Sequence, residues 1–299
     1  MRVSIVVPTL DGAASLPALL HAIDAQEGVD RPEVVAVDSG SDDGTLELLE
    51  SRVDRLLQVA PDDFDHGLTR NLGVEASTGE LVVLLVQDAV PADSDWLASL
   101  TAPFAGSPRL AGAFARQLPR PDASRITRRA LDRWVASRPE GRTAEVADER
   151  AFEALEPAER HLLCAFDNVC SCLRRSVWLE HPFRAAPIAE DLEWAREVLL
   201  AGHSLRYVPE ARVVHSHERS LSHELRRTRL VHQRLAELFA LRTIPSLPAL
   251  TRAWAVTVLD HWRCLRRPGP RELARALGLA VVWPLGQYLG GRSALGGPR

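Results

Sequence analysis

Three positions in the sequence place a carboxylate directly after a predicted strand or at the start of a predicted helix. Asp38 opens the glycine-rich segment DSGSDDGT, and Asp88 follows the apolar run of residues 81–86. The pair Glu190-Asp191 begins the helical segment EDLEWAREVLLA. Carboxylates in such places accept hydrogen bonds from a ribose or a base, bind a divalent cation, or remove a proton from a hydroxyl. The sequence therefore carries candidates for each of these three chemistries.

The segment around Asp38 is unlike a loop that cradles phosphate, because Asp42 and Asp43 would repel a phosphate group. Asp38 is better suited to accept a hydrogen bond from a base N–H or a ribose hydroxyl. Asp88 would emerge from a buried strand, where an unpaired charge is costly, and a bound Mg²⁺ ion would offset that cost. Both have a structural alternative, namely a capped turn before a helix at Asp38 and a capping aspartate at Asp88.

Two pairs of residues further along the chain are candidates for proton transfer and cation binding. Adjacent charge and partial burial would raise the basicity of Glu190 or Asp191 against the helix dipole, so either is a candidate general base. The alternative is ordinary charge complementation of a helix start. His215 and His217 face the same way if the chain is extended, which suits a metal or a diphosphate; two half-buried histidines explain the pattern as well. Arg70 is a candidate contact to an anionic donor. The alternative is that Arg70 is an ordinary charged residue on the surface of a helix.

The elements that position these residues follow an alternating pattern. Strands are predicted at residues 3–7, 34–37 and 81–86, and helices at residues 15–26 and 45–53. The pattern predicts an α/β fold with an open, mostly parallel twisted sheet flanked by helices. Ligands bind beyond the carboxyl ends of such strands, so the residues that follow them should converge on one crevice.

The remainder of the chain is predicted to be mainly helical, apart from strands at residues 205–208 and 213–214. Residues 117–162 are rich in Arg and Glu with scattered prolines, and this composition predicts helices or a mobile segment rather than more sheet. Helical segments follow at residues 222–241, 248–265 and 271–289. We therefore predict two domains, with residues 1–225 catalytic and residues 226–299 a C-terminal helical extension.

The helical extension has features of a surface-binding segment. Its last apolar stretch has about fifteen residues and contains Pro284, which is short of the ~20 residues that span a bilayer. Aromatic residues alternate with arginines in this extension, as in helices that lie at a membrane surface. The residues concerned are Trp254, Trp262, Arg263, Arg266, Arg267, Arg271, Arg275, Trp283 and Tyr288. Packing on the catalytic domain, or on a second copy in a homo-oligomer, explains the same pattern.

Composition excludes several other classes of protein. The chain has 36 basic and 40 acidic residues, so it lacks the excess positive charge typical of nucleic-acid binding. Four cysteines are too few and too irregularly spaced for a disulfide framework, and Cys170-Ser-Cys172 lacks a second pair for structural zinc. The start MRVSIVVPTL has no signal-peptide organisation, so a cytoplasmic protein with free thiols is expected.

Seven short motifs, taken in order, resemble those of the inverting glycosyltransferases of family 2, over roughly residues 2–225. They are VPTLDG, VDSGSDDGT, FDHGLTRNLG, LLVQDAVP, NVCSCLRRSVW, AEDLEWAREVLLAGHSLRYVP and VVHSH. The resemblance implies the GT-A nucleotide-diphospho-sugar transferase fold. Within the family, FDHG, TRN and QDAVP are most similar to bacterial rhamnosyltransferases, which use dTDP-L-rhamnose to extend cell-surface polysaccharides.

The resemblance also implies roles for individual residues. Asp191 matches the family's catalytic base, and Asp88 with His215 matches the groups that hold Mg²⁺ or Mn²⁺ and the leaving diphosphate. The residues implied around the donor are Pro8, Thr9, Asp11, Asp38, Gly40, Arg70, Gln87 and Asp88. Glu190, His217 and Asn168 are further candidates. The usual Asp-x-Asp metal motif reads Val86-Gln87-Asp88 here, a form that the rhamnosyltransferase-like members share.

These observations predict an enzyme that moves a sugar from a nucleotide-diphosphate donor to a hydroxyl of a saccharide or lipid-linked acceptor. The extension could bring the enzyme to the inner face of the membrane, where lipid-linked acceptors are presented. Two alternatives stay open, a non-catalytic domain that binds nucleotide-sugars or glycans, and a family 2 transferase with another hexose donor. A nucleotidyltransferase is disfavoured, because VPTLDGAAS carries no basic residue.

Overall fold

The computed structural model describes residues 1–265 and 268–293, which pack as two compact units. The first unit comprises Met1–Arg120, Trp134–Ala154 and Leu163–His215, and the second comprises Pro121–Arg133, Leu155–Leu162 and the described residues from Ser216 onward. Arg266, Arg267 and the end of the predicted extension lie outside the described residues. The predicted domain border at residues 225/226 falls within a helix, Leu221–Phe239, and stays a prediction.

The first unit is built on one mixed sheet, whose nine described strands run in the order β3-β2-β1-β4-β8-β6-β9-β5, with β7 paired to β9. The first four strands in this order are parallel to one another, as are β6 and β9. The strands are β1 Val3–Thr9, β2 Glu33–Asp38, β3 Arg55–Gln58, β4 Leu81–Leu85, β5 Val90–Pro91, β6 Leu110–Leu118, β7 Arg142–Ala144, β8 Cys170–Arg174 and β9 Ser204–Val214. The predicted α/β fold is confirmed.

Helices of the first unit cover the sheet, and their apolar faces complete its core. β4 is covered on both faces and is buried along its whole length. This explains why its sequence is a continuous apolar run. Leu16, Leu19 and Ile23 lie on one face of the first helix and are buried. The helices are α1 Leu16–Asp24, α2 Thr45–Glu50, α3 His66–Ala76, α4 Trp96–Thr101, α6 Glu149–Glu153, α8 Arg175–Glu180 and α9 Glu190–Leu200.

Replacing Gly73 by alanine is expected to destabilise the first unit. Gly73 lies in α3, where an added Cβ would stand 2.3 Å from Cγ1 of Val6 and 3.1 Å from Cγ2 of Val37. Because neither strand can move without disturbing the sheet, we expect Gly73→Ala to lower the free energy of unfolding by about 1–3 kcal/mol. Urea unfolding measures this change. The control is Gly269→Ala, where an added Cβ meets no atom of the described residues within 4 Å, and an equal loss there would contradict the packing argument.

Residues 117–162 do contain more sheet, so the prediction for this segment is wrong in part. β6 continues to Leu118, and β7 pairs with β9. The Ala- and Gly-rich sequence of β6 has low intrinsic strand preference, and its pairing with β8 and β9 supplies the stability that propensity does not. The predicted strands at residues 205–208 and 213–214 form one continuous strand, β9.

The second unit is helical, as predicted. Its helices are α5 Arg125–Asp132, most of α7 Pro157–Leu163, α10 Leu221–Phe239, α11 Leu247–Cys264 and α12 Pro270–Ser293. Glycines of α12 let it pack closely on α10, since a Cβ on Gly290 would lie 2.3 Å from the Arg229 carbonyl oxygen. Pro284 lies inside α12 and does not end it. No helix among the described residues is long and apolar enough to cross a membrane.

Candidate active site

Asp38 ends β2 and organises the loop that follows it. Its side chain is fully buried, and its two carboxylate oxygens accept hydrogen bonds from the backbone N–H groups of Gly40 and Ser41 (2.9 Å each) and from the hydroxyl groups of Thr9 (2.9 Å) and Ser41 (2.5 Å). Gly40 has a φ of +98°, which favours glycine. Thr9 and Asp38 are therefore brought together at the ends of β1 and β2, and the predicted contact of Asp38 with a donor stays a prediction.

These hydrogen bonds fix the charge state of Asp38. Burial raises its pKa, but the hydroxyl and backbone donors of Ser41, the Thr9 hydroxyl and the Gly40 N–H outweigh burial and hold the pKa below its ordinary value. A carboxyl with a lowered pKa in the folded state stabilises the protein above its unfolded pKa of about 3.9, and that stabilisation is lost as the pH falls further.

We expect Asp38→Asn to lower the free energy of unfolding at pH 7 by roughly 1–3 kcal/mol, since an amide replaces one acceptor oxygen by a donor. The deficit should shrink as the pH falls below about 4, where the wild-type carboxyl also becomes protonated. Urea unfolding at pH 7 and in acid tests this. Asp62→Asn, at an exposed aspartate, should show neither effect. A deficit that is the same at both pH values would contradict the assignment.

Gln87 fixes the loop after β1 through both groups of its side-chain amide. Its Oε1 accepts the Leu10 N–H (2.9 Å), and its Nε2 donates to the Leu10 carbonyl (2.8 Å). A Cβ on Gly12 would lie 2.7 Å from Oε1 of Gln87, so a larger residue there would have to displace the Gln87 side chain. Asp11 has a φ of +48°, and its N–H donates to the Ser41 hydroxyl. Gln87 and Asp11 thus lie in the loops next to Asp38, and their contact with a donor stays a prediction.

Asp88 and His215 converge at the ends of two strands. Asp88 lies in the turn after β4, and His215 directly follows β9, with its backbone N–H bonded to the Leu118 carbonyl of β6 (2.8 Å). Nε2 of His215 is 3.7 Å from Oδ1 of Asp88. His217 belongs to the second unit, and its predicted role stays a prediction.

The donor set at Asp88 and His215 fits a small divalent cation. Two ligands bound to one such ion at about 2.1 Å stand roughly 3 Å apart in a tetrahedral or octahedral arrangement. The 3.7 Å between the His215 nitrogen and the Asp88 oxygen requires only a small closure to reach that separation. The Asp88 carboxylate is a ligand type that Mg²⁺ and Mn²⁺ both accept beside phosphate oxygens, whereas the imidazole of His215 suits a transition metal such as Mn²⁺ better than Mg²⁺. An Asp/His group that could hold a metal ion is therefore present.

An ion pair buried at the start of α9 holds Glu190. Nη1 of Arg70 is 3.3 Å from Oε1 of Glu190, and the two side chains are 7% and 6% exposed. The same oxygen accepts a hydrogen bond from Nδ2 of Asn168 (3.1 Å), and Arg70 donates to the His66 carbonyl (2.8 Å). Nε of Arg70 is buried and has no hydrogen-bond partner among the described residues. Arg70 is thus bound to Glu190, and its predicted contact with a donor stays a prediction.

Asp191 is a carboxyl whose ionisation the protein opposes. Burial raises its pKa well above the ordinary value, and the nearby charges of Glu190 and Asp167 raise it further. Hydrogen bonds from the backbone N–H groups of Asn168 (3.3 Å) and Leu192 (2.8 Å) only partly offset this. A raised pKa makes the ionised carboxylate a stronger base, as proton removal from a hydroxyl requires.

Two adjacent residues, Asp167 and Asn168, connect the pair Asp88 and His215 with Asp191 through hydrogen bonds. Asp167 accepts a hydrogen bond from Gln117, whose Oε1 is 3.0 Å from Nδ1 of His215. Asn168 donates to Asp191, as described above. The sequence analysis missed Gln117 and Asp167. The adjacency of Asp167 to the NVCSC motif was a usable signal, whereas Gln117 could not be recognised without knowing that β6 is a strand. Pro8, which was also predicted to lie around the donor, is part of β1, and its role stays a prediction.

The mixed sheet with its covering helices has the fold of the GT-A glycosyltransferase structures. The solved mannosyltransferase PcManGT from Pyrobaculum calidifontis, in complex with GDP-Man and Mn²⁺, aligns with 99% of this chain and 87% of its own. The TM-score is 0.60 at 19% sequence identity, which shows the shared fold.

Sequence comparison gives the family. Residues 4–152 match the model for glycosyl transferase family 2, so the chain carries a domain of this family. It is 28% identical over 232 residues to the O-antigen chain rhamnosyltransferase RfbN of Salmonella typhimurium, covering 76% of this chain and 70% of that protein. The O-antigen chain rhamnosyltransferase WbaN of Salmonella anatum is 27% identical over 235 residues, covering 75% and 69%.

Proposed function

We propose that this enzyme transfers L-rhamnose from dTDP-L-rhamnose to a hydroxyl of a saccharide or lipid-linked acceptor, with inversion at the anomeric carbon. The observation that carries the reaction type is the joint placement of Asp191 and of the pair Asp88 and His215 around the segment Asp167-Asn168. The similarity to RfbN and WbaN supports rhamnose as the sugar. Extension of a cell-surface polysaccharide follows from the same similarity.

Asp191 is the general base of this proposal. Glu190 is engaged with Arg70 and Asn168, so it is the poorer proton acceptor of the two. The carboxylate of Asp191 accepts the proton of the acceptor hydroxyl while the acceptor oxygen forms a bond to the anomeric carbon. The bond from that carbon to the diphosphate oxygen breaks, and its electron pair leaves with the diphosphate. Attack from the face opposite the leaving group inverts the configuration.

The residues that would hold a cation are Asp88 and His215. When bound there, Mg²⁺ or Mn²⁺ supplies positive charge that stabilises the departing diphosphate. The Mn²⁺ named with the mannosyltransferase PcManGT supports this assignment. Thr9, Asp11, Gly40 and Gln87 lie at the end of β1 or in the loops that follow β1, β2 and β4. We assign the nucleoside of the donor to this region, with Pro8, Asp38 and Arg70 as further candidate contacts.

Thermal unfolding with added nucleotides tests the donor class. We would compare dTDP, UDP and GDP, each with and without Mg²⁺, because a ligand that binds only the folded state stabilises it by about 2.7 kcal/mol at 100 times its Kd. A shift that is largest with dTDP and increased by Mg²⁺ supports the proposal. A larger shift of the unfolding temperature with UDP or GDP would indicate a donor with another hexose in place of rhamnose. No shift with any nucleotide would favour a non-catalytic role.

We also propose that the second unit binds the surface of an anionic membrane, where a lipid-linked acceptor is reached. From residue 216 onward the chain has 14 arginines and five acidic residues, although the whole chain is acidic. Val256, Leu259 and Trp262 of α11 are 57%, 55% and 67% exposed and recur every three residues. Arg252 and Arg263 flank them and are also exposed. Apolar side chains between arginines suit the boundary between headgroups and acyl chains.

Liposome flotation tests the membrane contact. The full chain should float with vesicles of phosphatidylglycerol and not with vesicles of phosphatidylcholine, and Trp262→Glu should abolish flotation. The matched control is Leu179→Glu, at an apolar residue of the first unit that is 64% exposed. Equal recovery in the soluble fraction with both lipids would contradict the membrane contact, and concentration-dependent dimerisation that Trp262→Glu removes would assign the face to a second copy of the chain.

A further inference from the structure

We propose that Gln117 is a positioning residue for His215. Its side-chain amide is oriented by a hydrogen bond to Asp167, and in that orientation it holds the His215 imidazole with its proton on Nδ1. This inference rests on the proposed role of His215 as a cation ligand. Gln117, Asp167 and His215 are 6%, 9% and 8% exposed, so their polar groups are largely removed from water. Buried polar groups must find partners within the protein, and here they form a chain of hydrogen bonds.

The direction of the chain is set at Asp167. Its carboxylate accepts hydrogen bonds from Nε1 of Trp134 (2.8 Å), the N–H of Val169 (3.0 Å) and Nε2 of Gln117 (2.5 Å). A carboxylate only accepts, so the group that Gln117 turns towards it must be the donating NH2. The carbonyl oxygen of the same amide, Oε1, must then point the other way.

The amide of Gln117 in turn decides the state of the imidazole. Oε1 of Gln117 is 3.0 Å from Nδ1 of His215, and an amide oxygen only accepts. Nδ1 must therefore carry a proton. In the neutral imidazole the lone pair then lies on Nε2, the nitrogen 3.7 Å from Oδ1 of Asp88. The nitrogen that a cation needs is thus the one directed at the Asp88 carboxylate.

The sheet explains why glutamine reaches this histidine. β6 and β9 are parallel, Gln117 is paired with Val213, and His215 lies two residues beyond Val213. Side chains two apart on a strand point to the same face, so His215 and Gln117 meet across neighbouring strands. Partners of this kind behind a metal-binding histidine typically change metal affinity by 10- to 100-fold when they are removed.

The tautomer can be read directly by ¹⁵N NMR of histidine-labelled protein at pH 8.5, with His215→Ala identifying the signal. We expect the His215 proton on Nδ1 in the wild type. In Gln117→Met, which has a similar volume and no amide, the proton should redistribute towards Nε2. In Gln117→Glu the new side chain can donate to Asp167 only as the protonated acid, a state that the adjacent Asp167 carboxylate favours, and its other oxygen still faces Nδ1, so the proton should stay on Nδ1. Gln233→Met, at a glutamine of the second unit, is the control and should behave as wild type.

The Mn²⁺ dissociation constant gives a second readout. We expect Gln117→Met to weaken Mn²⁺ binding 10- to 100-fold, with Gln117→Glu within tenfold of wild type and Gln233→Met unchanged. A wild-type His215 protonated on Nε2, or a Gln117→Met variant with an unchanged tautomer, would overturn the inference. If the wild type binds no Mn²⁺ while the tautomer results hold, the cation site of the proposed function fails and the positioning by Gln117 stands. If Gln117→Met does not fold, Gln117→Leu, which also lacks the amide, replaces it in both measurements.

Discussion

Replacing Asp191 by asparagine is expected to lower kcat by about 10²- to 10⁴-fold and, at the same time, to make the protein more stable at neutral pH. The first effect follows from the loss of a general base. The second follows from the raised pKa of Asp191, whose causes are burial first and then the charges of Glu190 and Asp167. A residue with only a structural role would not give a large loss of kcat together with a gain in stability when it is replaced, so the combination is diagnostic.

The sign of the stability effect depends on pH. Because the folded state holds the Asp191 proton more tightly than the unfolded state, the wild type is most favoured below the unfolded pKa of about 3.9. It loses stability as the pH rises from there through the raised folded pKa. Because an asparagine has no charge to bury, the free energy of unfolding of the variant should rise relative to that of the wild type over this pH range. For the same reason the wild-type rate should rise with pH through the raised pKa.

Release of nucleoside diphosphate from the donor measures the rate, and urea unfolding at pH 4 and pH 8 measures the stability. Asp62→Asn is the control and should leave both unchanged. An Asp191→Asn variant that keeps more than about a tenth of the wild-type kcat would show that another group is the base.

Replacing Asp88 by asparagine is expected to lower kcat by roughly 10²- to 10³-fold and to remove the stimulation by Mn²⁺. Asp88 and His215 are the two ligands proposed for the cation, and Asp88 supplies the only carboxylate of the Val86-Gln87-Asp88 segment. The loss should appear in kcat more than in KM, because the charge on the departing diphosphate develops during the reaction.

Mn²⁺ titrations of activity for wild type, Asp88→Asn and His215→Ala test this prediction. Both variants should need at least tenfold more Mn²⁺ for half-maximal activity, if they reach activity at all. Asp95→Asn, at an exposed aspartate near the start of α4, should titrate as the wild type does. An Asp88→Asn variant with wild-type Mn²⁺ dependence would place the cation elsewhere.

The parts of the fold that sequence predicted are those with strong local patterns. β1, β2 and β4 are continuous apolar runs, and α10 to α12 are long periodic segments separated by proline breaks, so local rules sufficed. β6 and β8 were not predicted, because their Ala, Gly, Ser and Cys residues have weak strand preference. They are strands because each pairs with neighbours that are far away in the sequence.

The candidate site shows the same division. Asp38, Asp88 and Asp191 were found because each stands at the end of a recognisable element. Gln117 and Asp167 were missed, since their importance comes from a hydrogen bond between residues 50 positions apart in the chain. Arg70 was found as a charge near the donor, but its ion pair with Glu190, 120 positions along, required the structure.

The central claim is transfer from dTDP-L-rhamnose by an inverting displacement with Asp191 as the base. The most direct test is proton NMR of the first rhamnose that the enzyme releases to water from dTDP-L-rhamnose with Mn²⁺, observed before the sugar can mutarotate. The account predicts release with the anomeric configuration opposite to that of the donor, and at least a hundredfold slower release by Asp191→Asn. Release with the donor's own configuration, or at the same rate from Asp191→Asn, would contradict it.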